Sequence, residues 1–121
     1  PMLYRRLGRT GLQVSALSFG AWVTFGTSVG RGEARRLITQ AFDAGINFFD
    51  NAETYAKGEA EKIMGDVLAD MRFPRDAFAV SSKVYFGAAA EPSPMQKGLS
   101  RKHVRDACDA ALKRLHVDYL D

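Results

Sequence analysis

The sequence contains a single cysteine, Cys108, and no long apolar run. One cysteine excludes an internal disulfide and a metal site built from several cysteines. No segment reaches the roughly eighteen apolar residues that a membrane-spanning helix requires, and the first residues do not resemble a signal peptide. These features predict a cytoplasmic protein of a reducing compartment, with no membrane insertion and no metal site.

Runs of charge of one sign are also missing. The chain has 17 Lys and Arg residues against 14 Asp and Glu residues, which gives a formal net charge of +3, and the two signs are interspersed. The sequence pI of about 9.2 overstates this small imbalance. Domains that bind nucleic acid usually concentrate basic residues on one surface, so no nucleic-acid partner is expected.

The chain does have enough apolar material for a core, arranged in a regular order. With 121 residues and 46% apolar composition it forms at most one domain. Residues 3–17 (LYRRLGRTGLQVSAL) predict two short strands around a tight turn, because Gly8 and Gly11 supply the positive φ that such a turn needs. Further strands are predicted at residues 16–20, 46–50, 78–83 and 117–121.

Three amphipathic helices are predicted between these strands. Apolar residues recur at helical spacing in segments 34–42, 60–71 and 104–115. Gly45 is expected to end the first helix, and Ser100 is expected to cap the N-terminus of the third. The inner face of the third helix is expected to consist of Val104, Ala107, Cys108, Ala111, Leu112 and Leu115.

Strands that alternate with helices at intervals of roughly 30 to 40 residues are typical of parallel βαβ units. Two architectures fit this pattern, a doubly wound sheet and a TIM (β/α)₈ barrel. A doubly wound sheet usually carries a phosphate-binding glycine motif in its first βα turn. Residues 19–32 read FGAWVTFGTSVGRG, which fits neither G-x-G-x-x-G nor a Walker A motif. Reactive polar residues instead follow the strands, as in barrel enzymes, so we predict an α/β barrel represented by its hairpin and first three to four βα units.

Three polar residues lie where predicted strands end. Asp50 and Lys83 each end a strand, and Tyr55 lies in the loop just beyond Asp50. Parallel strands bring such ends to one rim, where an ammonium beside a phenol lowers the pKa of the phenol and a carboxylate holds the ammonium charged. A tyrosine in that setting can pass a proton to a carbonyl oxygen. No side chain supplies hydride, so this chemistry implies a nicotinamide cofactor.

Each of these residues has a structural interpretation when it is taken alone. An Asp after a strand is often a helix cap or a turn residue, a Tyr in a βα loop often only packs, and a Lys at a strand end usually reaches solvent. The combination of Asp50 with Tyr55 and then Lys83 on the next βα unit favours catalysis.

Other polar residues are weaker candidates. Cys108 is expected in the core, on the apolar face of the third helix. His103 and His116 are expected at the outer end of that helix or in its flanking loop, away from the rim. Asn51 and Glu53 either touch the substrate or belong to a solvated loop.

The sequence resembles the aldo-keto reductase family from Tyr4 to Asp121. Four segments carry the resemblance: YRRLGRTGLQVSALSFG, GINFFDNAETY, VSSKV and GLSRKHVRDACDAALKRLHVDYLD. Within the family the sequence is similar to the branch that contains the voltage-gated potassium-channel β subunits and their bacterial relatives. AWVTFG, AETYAKGEAE and KGLSRKH carry that narrower likeness.

The resemblance implies an NADP(H)-dependent (β/α)₈ barrel with a catalytic set of Asp, Tyr, Lys and His. Asp50, Tyr55 and Lys83 match the first three: Tyr55 as general acid, Lys83 as the residue that adjusts it, and Asp50 as the residue that orients Lys83. Ala21 and Trp22, together with Asp50, are implied to contact the nicotinamide end of the cofactor. Ala21 stands where the branch commonly has threonine and cannot supply that side chain's hydrogen bond, and Trp22 has a competing interpretation as plain packing.

The resemblance also implies that residues 1–121 are the N-terminal half of one barrel domain, with the fourth catalytic position, His or Asn, beyond Asp121. The activity expected of the intact protein is the reduction of small aldehydes or ketones to alcohols. One alternative is an accessory or regulatory subunit that uses the barrel as a scaffold for a channel-type partner. Another is an inactive half-barrel fragment, which is expected either to bury its open face in a homo-oligomer or to be poorly packed and prone to aggregation.

Overall fold

The computed structural model describes residues 1–22 and 25–121, which form an α/β arrangement of two small sheets and three α-helices. Val23 and Thr24, which belong to the predicted first βα loop and its AWVTFG segment, lie outside the described residues.

A hairpin opens the chain, as predicted. Strands β1 (Tyr4–Arg6) and β2 (Gln13–Ser15) pair antiparallel, and Gly8 lies in their turn with φ +61°. Asn47 attaches the hairpin to the rest of the protein. Its side-chain Oδ1 accepts from the Ser15 amide at 2.8 Å, and its Nδ2 donates to the Gln13 carbonyl at 3.0 Å. The hairpin is therefore fixed at the N-terminal edge of the main sheet.

The main sheet is parallel and has the order β3-β4-β5. Its strands are β3 (Phe19–Gly20), β4 (Phe48–Asp50) and β5 (Ala79–Ser81), each shorter than predicted. Phe49 of the central strand pairs in register with Phe19 on one side and Val80 on the other. Phe49 and Val80 are fully buried, so apolar side chains fix this register.

Three helices cover the sheet: α1 (Arg31–Asp43), α2 (Glu59–Met71) and α3 (Arg101–Leu115). The first helix ends just before Gly45, whose φ of +96° is the left-handed conformation expected after a helix C-terminus. Ser100 caps α3, since its hydroxyl accepts from the His103 amide at 3.0 Å. The sequence therefore predicted all three helices and these two boundary residues.

The core lies between the sheet and the helices, and its largest fully buried apolar side chains include those of Phe25, Ile38, Phe49, Met64, Val80 and Leu115. Helices α2 and α3 approach each other most closely at Gly65. A Cβ atom at this position would lie 2.2 Å from the Arg114 carbonyl oxygen and 2.5 Å from the Leu115 Cα. A side chain cannot occupy that space without moving backbone, so glycine sets the separation of the two helices.

The predicted inner face of α3 was wrong by one residue at two positions. Val104 and Cys108 were expected to face the core, but both are exposed. The buried stripe is instead His103, Ala107, Ala111 and Leu115. This stripe keeps the spacing of four residues that lines one side of a helix, and it places small alanines against α2.

The predicted fourth strand, residues 117–121, is not a strand in the part of the chain that the structure describes. The segment runs beside β5 with one backbone bond, from the Asp121 amide to the Val80 carbonyl at 3.0 Å. The Asp121 carboxylate accepts from the Val80 amide at 2.9 Å and pairs with Arg75 at 2.6 Å. The Asp121 carboxylate therefore accepts the hydrogen bond from the Val80 amide that a backbone carbonyl would accept in a continuous β-ladder.

Three parallel strands with helices over them, together with the N-terminal hairpin, are consistent with one part of a (β/α)₈ barrel, and the described residues do not close a barrel. Among those residues, no helix combines the length and the hydrophobicity needed to span a membrane.

Candidate active site

Asp50 and Lys83 meet at the C-terminal ends of neighbouring strands, as predicted. The register pairs Asp50 with Ser81, so Lys83 follows two residues later on the same side of the strand. The Lys83 ammonium donates to Asp50 Oδ2 at 2.6 Å, and the Ser81 hydroxyl donates to Asp50 Oδ1 at 2.6 Å. We call these three residues, Asp50, Ser81 and Lys83, the rim cluster.

Lys83 is held by more than its carboxylate partner. Its ammonium also donates to the Asn51 carbonyl at 2.7 Å and lies 4.9 Å from the centroid of the Tyr55 ring. Burial lowers the pKa of Lys83, but its hydrogen bonds to Asp50 and Tyr55 outweigh that effect, so the pKa is raised above the ordinary value of 10.5. The ammonium is therefore kept charged beside the phenol.

Tyr55 lies at the start of a short 3-10 turn, Tyr55–Gly58, between β4 and α2. Ala56 and Lys57 follow it with φ of 48° and 54°, the left-handed conformation that few residues other than glycine adopt. Gly58 continues the positive φ and precedes α2. Backbone strain of this kind is concentrated at functional sites, and here it fixes the direction in which the chain leaves Tyr55.

The two residues predicted to contact a cofactor differ in their surroundings. Ala21 is fully buried, and its amide donates to the Asp50 carbonyl at 3.1 Å. Trp22 is 67% exposed and stacks on Tyr55, with ring centroids 6.2 Å apart and an angle of 25° between the rings. The structure therefore brings Ala21, Trp22, Asp50, Tyr55 and Lys83 to one end of the sheet.

A cavity of 310 Å³ opens beside this cluster and is mostly apolar. Its lining includes Tyr55 and Lys83, and also Glu53, Tyr85 and Phe86. This volume is at the low end of the range for small-molecule sites, which is about 300–1,000 Å³. The Tyr55 and Lys83 side chains thus line a space that fits a small organic molecule.

A larger groove of 670 Å³ lies between α1 and α2, away from the strand ends. Two ion pairs lie within the groove: Arg31 pairs with Asp66, and Arg35 pairs with Asp70. His116 also lines the groove, half exposed, with Nε2 2.7 Å from Asp66 Oδ1. These residues form surface ion pairs at a distance from the strand ends.

Glu53 and His103 lie in surroundings that the sequence did not indicate. Glu53 was expected either to touch the substrate or to belong to a solvated loop, and His103 was expected to lie away from the rim. Both are buried, which excludes the solvated loop, and their side chains meet at 3.0 Å. Glu53 Oε2 also accepts from the amides of Tyr85, at 2.8 Å, and Gly87, at 3.1 Å. Asn51 is likewise buried, and its amide group bonds to the Ala60 carbonyl at 3.1 Å.

A second carboxylate is buried on the helix side of β5. Glu61 of α2 is fully buried, and its Oε1 pairs with the Arg114 guanidinium at 2.9 Å. Its Oε2 accepts from the Ser82 hydroxyl at 2.8 Å. We call Glu61, Ser82 and Arg114 the helix cluster. The apolar periodicity of α2 gave no signal for it, because Glu61 lies within a stripe otherwise made of apolar residues.

The rim cluster and Tyr55 can do acid–base chemistry. A phenol can transfer its proton to a nearby oxygen, a charged lysine beside it stabilises the phenolate that remains, and Asp50 keeps the lysine charged and in place. None of these groups can donate hydride. The arrangement therefore suits transfer of a proton to an oxygen atom and not transfer of hydride.

Comparison with known proteins connects this site to a family. A model of the "Aldo/keto reductase family" matches residues 16–121. A protein from Arabidopsis thaliana described as "Probable voltage-gated potassium channel subunit beta" is 48% identical over 120 residues, which cover 99% of this chain and 36% of that protein. A protein of the same description from Oryza sativa subsp. japonica is 50% identical over the same length and the same shares. The chain thus spans 36% of the length of these curated relatives.

Proposed function

The chain belongs to the aldo/keto reductase family, and from that premise we propose that the full-length protein reduces small aldehydes or ketones to alcohols with NADP(H). Within the chain, Tyr55, Lys83 and Asp50 carry the proton chemistry. The likeness to proteins described as probable potassium-channel β subunits confirms the branch that the sequence resembled.

One observation carries the proposal. The Lys83 ammonium lies 2.6 Å from Asp50 and 4.9 Å from the centre of the Tyr55 ring, and Lys83 and Tyr55 both line one cavity. A surface Lys–Asp pair alone would be unremarkable as a stabilising contact. Its placement under a phenol, at the end of the sheet where barrel enzymes carry their chemistry, supports a catalytic role.

Each residue has a distinct task in the proposed reaction. Tyr55 directs its hydroxyl to the carbonyl oxygen and releases its proton there as negative charge develops. Lys83 stabilises the phenolate that Tyr55 becomes. Asp50, itself bonded to Ser81, prevents Lys83 from turning away into solvent. The alcohol leaves, and the phenolate regains a proton from water.

The residues present fit the nicotinamide end of a cofactor. Trp22 offers an exposed flat ring beside Tyr55, and Asp50 offers a carboxylate at the same rim. When bound, NADP(H) would supply the hydride that no side chain can provide. Trp22 and Asp50 would hold it, while Ala21 contributes backbone shape and no side-chain hydrogen bond.

A turnover assay tests the proposal. The full-length protein should oxidise NADPH in the presence of small aldehydes such as acetaldehyde or benzaldehyde, and the alcohol should form in equal amount. A protein that binds NADPH and consumes none with any carbonyl would contradict it.

The names of the relatives favour a second candidate, a channel-associated accessory subunit that uses the barrel as a scaffold. The two functions are compatible with the same rim residues, so activity alone separates them. An accessory role without catalysis predicts that Tyr55→Phe leaves every property of the full-length protein unchanged.

We also propose that the chain is one part of a single longer barrel domain that works in the cytoplasm. Its coverage of 36% of its curated relatives and its open three-stranded sheet support this. Fluorescence titration with NADPH should show much weaker binding to the isolated 121 residues than to the full-length protein.

A further inference from the structure

Glu53 lies in a loop, yet its side chain is buried and extensively hydrogen-bonded. Three donors converge on its Oε2 atom: the amides of Tyr85 and Gly87, at 2.8 and 3.1 Å, and Nε2 of His103, at 3.0 Å. A buried carboxylate needs several donors to compensate for its loss of water. Because Oε2 already accepts from two amides, we assign His103 as the donor in this pair.

These bonds join three separate parts of the chain. Glu53 follows β4, Tyr85 and Gly87 follow β5, and His103 lies in the first turn of α3. The Glu53 amide also donates to the Lys83 carbonyl at 3.1 Å. The side chain therefore joins the two segments that line the cavity to each other and to α3.

The loop after β5 is shaped around this attachment. The two amides held by Glu53 lie on either side of Phe86, and the Gly98 amide closes the loop by donating to the Tyr85 carbonyl at 2.6 Å. Gly87 has φ +87°, and a Cβ there would lie 2.4 Å from the Gln96 carbonyl. The backbone around Phe86 thus has little freedom as long as Glu53 holds it.

The segment that Glu53 holds carries two aromatic side chains to the cavity. Tyr85 and Phe86 pack edge to face, with centroids 5.0 Å apart and an angle of 76° between the rings, and both line the cavity beside Tyr55. They are 53% and 66% exposed, so little besides their backbone fixes where they lie.

We propose that Glu53 is a positioning residue for substrate selection: held by His103, it fixes the backbone of Tyr85 and Gly87 and thereby places the aromatic wall against which the apolar part of a carbonyl substrate packs. This inference rests on the proposed function. Glu53 takes no part in proton transfer, because its bonds run to the loop and to α3.

The helix cluster supplies a matched control. Glu61 is also a buried carboxylate, it also pairs with a basic residue of α3, and it lies eight positions further along the chain. Its bonds run to Ser82 and Arg114 and not to the loop that carries the aromatic wall. Glu53→Gln and Glu61→Gln remove the same charge from comparable burial, so only the consequence for the wall differs.

The test uses the full-length protein with benzaldehyde and acetaldehyde. Glu53→Gln should raise the ratio of KM for benzaldehyde to KM for acetaldehyde roughly tenfold, because apolar pocket contacts discriminate by about 10- to 200-fold. Glu61→Gln should leave the ratio of the two KM values as in the wild type. Equal KM ratios in the wild type and Glu53→Gln, or the same change in Glu61→Gln, would overturn the proposal.

A second pair of variants keeps the test decisive should Glu53→Gln fail to fold. His103→Phe removes one of the three donors, and His103→Gln restores a donor of similar reach. The KM ratio should shift in His103→Phe and return towards the wild type in His103→Gln. No shift in His103→Phe would count against the proposal.

Amide hydrogen exchange separates failure of this inference from failure of the proposed function. Peptides covering residues 84–88 should exchange faster in Glu53→Gln and not in Glu61→Gln. A wild type inactive on every carbonyl sinks the proposed function and the substrate role together, whatever the exchange shows. An active wild type with unchanged exchange in Glu53→Gln would overturn the inference alone.

Discussion

The rim cluster and the helix cluster are made of the same kinds of residue and have opposite surroundings. Each contains a carboxylate that pairs with a basic residue and accepts a hydrogen bond from a serine hydroxyl. The two serines, Ser81 and Ser82, are neighbours in the sequence. In the rim cluster the side chains of Lys83 and Asp50 are 50% and 34% exposed, whereas Glu61 is fully buried. The chemistry of the groups therefore does not distinguish a reactive site from a structural contact.

The alternation of side chains along a strand creates the difference. Successive residues of a strand point to opposite faces, so at the end of β5 Ser81 points to the open face of the sheet and Ser82 to the helices. On the open face the ion pair borders a cavity and a phenol. On the helix face it is enclosed between α2 and α3. One residue of register decides which pair can meet a substrate.

The largest expected effect belongs to Tyr55, the residue that makes the rim different. Tyr55→Phe in the full-length protein should lower the rate of carbonyl reduction by about 10²- to 10⁴-fold, since it removes the proposed general acid and keeps the ring that stacks on Trp22. Steady-state kinetics measure the loss, and a fluorescence titration should show NADPH binding nearly unchanged. A fall in rate of less than about tenfold would contradict a catalytic role for Tyr55, and the rim cluster would then differ from the helix cluster only in its exposure.

Lys83→Met should have the next largest effect. The change removes the charge and keeps most of the stem's packing, and a neighbouring charge changes acid strength by about 1–3 pKa units. The rate at neutral pH should therefore fall by roughly tenfold to a thousandfold, and the upper limb of the pH–rate profile should shift or disappear. A wild-type rate and pH–rate profile in this variant would show that Lys83 is only a solvated residue at a strand end.

Arg114→Met should sharpen the comparison from the other side. It leaves the Glu61 carboxylate buried with only Ser82, and breaking a fully buried pair typically costs about 3–5 kcal/mol. Arg114 is partly exposed, so we expect a loss of roughly 2 kcal/mol in the free energy of unfolding, measured by urea denaturation. The kcat of the folded variant should stay near the wild type; a large fall would mean that the helix cluster also serves the reaction.

The smallest effect concerns the pH dependence of stability. Burial lowers the pKa of Lys83, yet its bonds to Asp50 and Tyr55 raise it above 10.5, so the folded state keeps the proton longer than the unfolded state does. Its contribution to stability is complete below pH 10.5 and is lost as pH rises through the higher folded pKa. Since the pair is half exposed, the difference between wild type and Lys83→Met should be under about 1 kcal/mol. Urea titrations at pH 8 and pH 11 measure this difference in the free energy of unfolding. A difference that grows with pH would contradict the raised pKa of Lys83 in the folded state.

Much of this molecule follows from local rules in its sequence. The hairpin, the three helices and the placement of Asp50 and Lys83 on adjacent strands come from turn residues, apolar periodicity and the parallel βαβ order. Tyr55 was placed correctly at the rim, but its exit through two left-handed residues was not foreseen, because neither Ala56 nor Lys57 is a residue that signals positive φ.

The wrong predictions for α3 share one physical cause. Apolar periodicity assigned Val104 and Cys108 to the inner face of α3 and gave no reason to bury His103, whose desolvation is compensated by a partner fifty positions away in Glu53. Long-range polar pairs of this kind leave no periodic signal. A hint was present: His103, Ala107, Ala111 and Leu115 fall at every fourth position, and three of the four suit a close helix contact.

The missing side chain at Gly65 acts on the pocket at a distance. Helix α3 rests on Gly65 near its C-terminal end, through Arg114 and Leu115, and touches Glu53 near its other end through His103. Residues 103 and 115 are about 18 Å apart along a helix, which behaves as a stiff rod over that length. A larger side chain at Gly65 would tilt the helix, and the displacement at its N-terminal end would move His103 and with it the Glu53 carboxylate that holds the aromatic wall. The width of the pocket would then depend on a residue that no substrate touches.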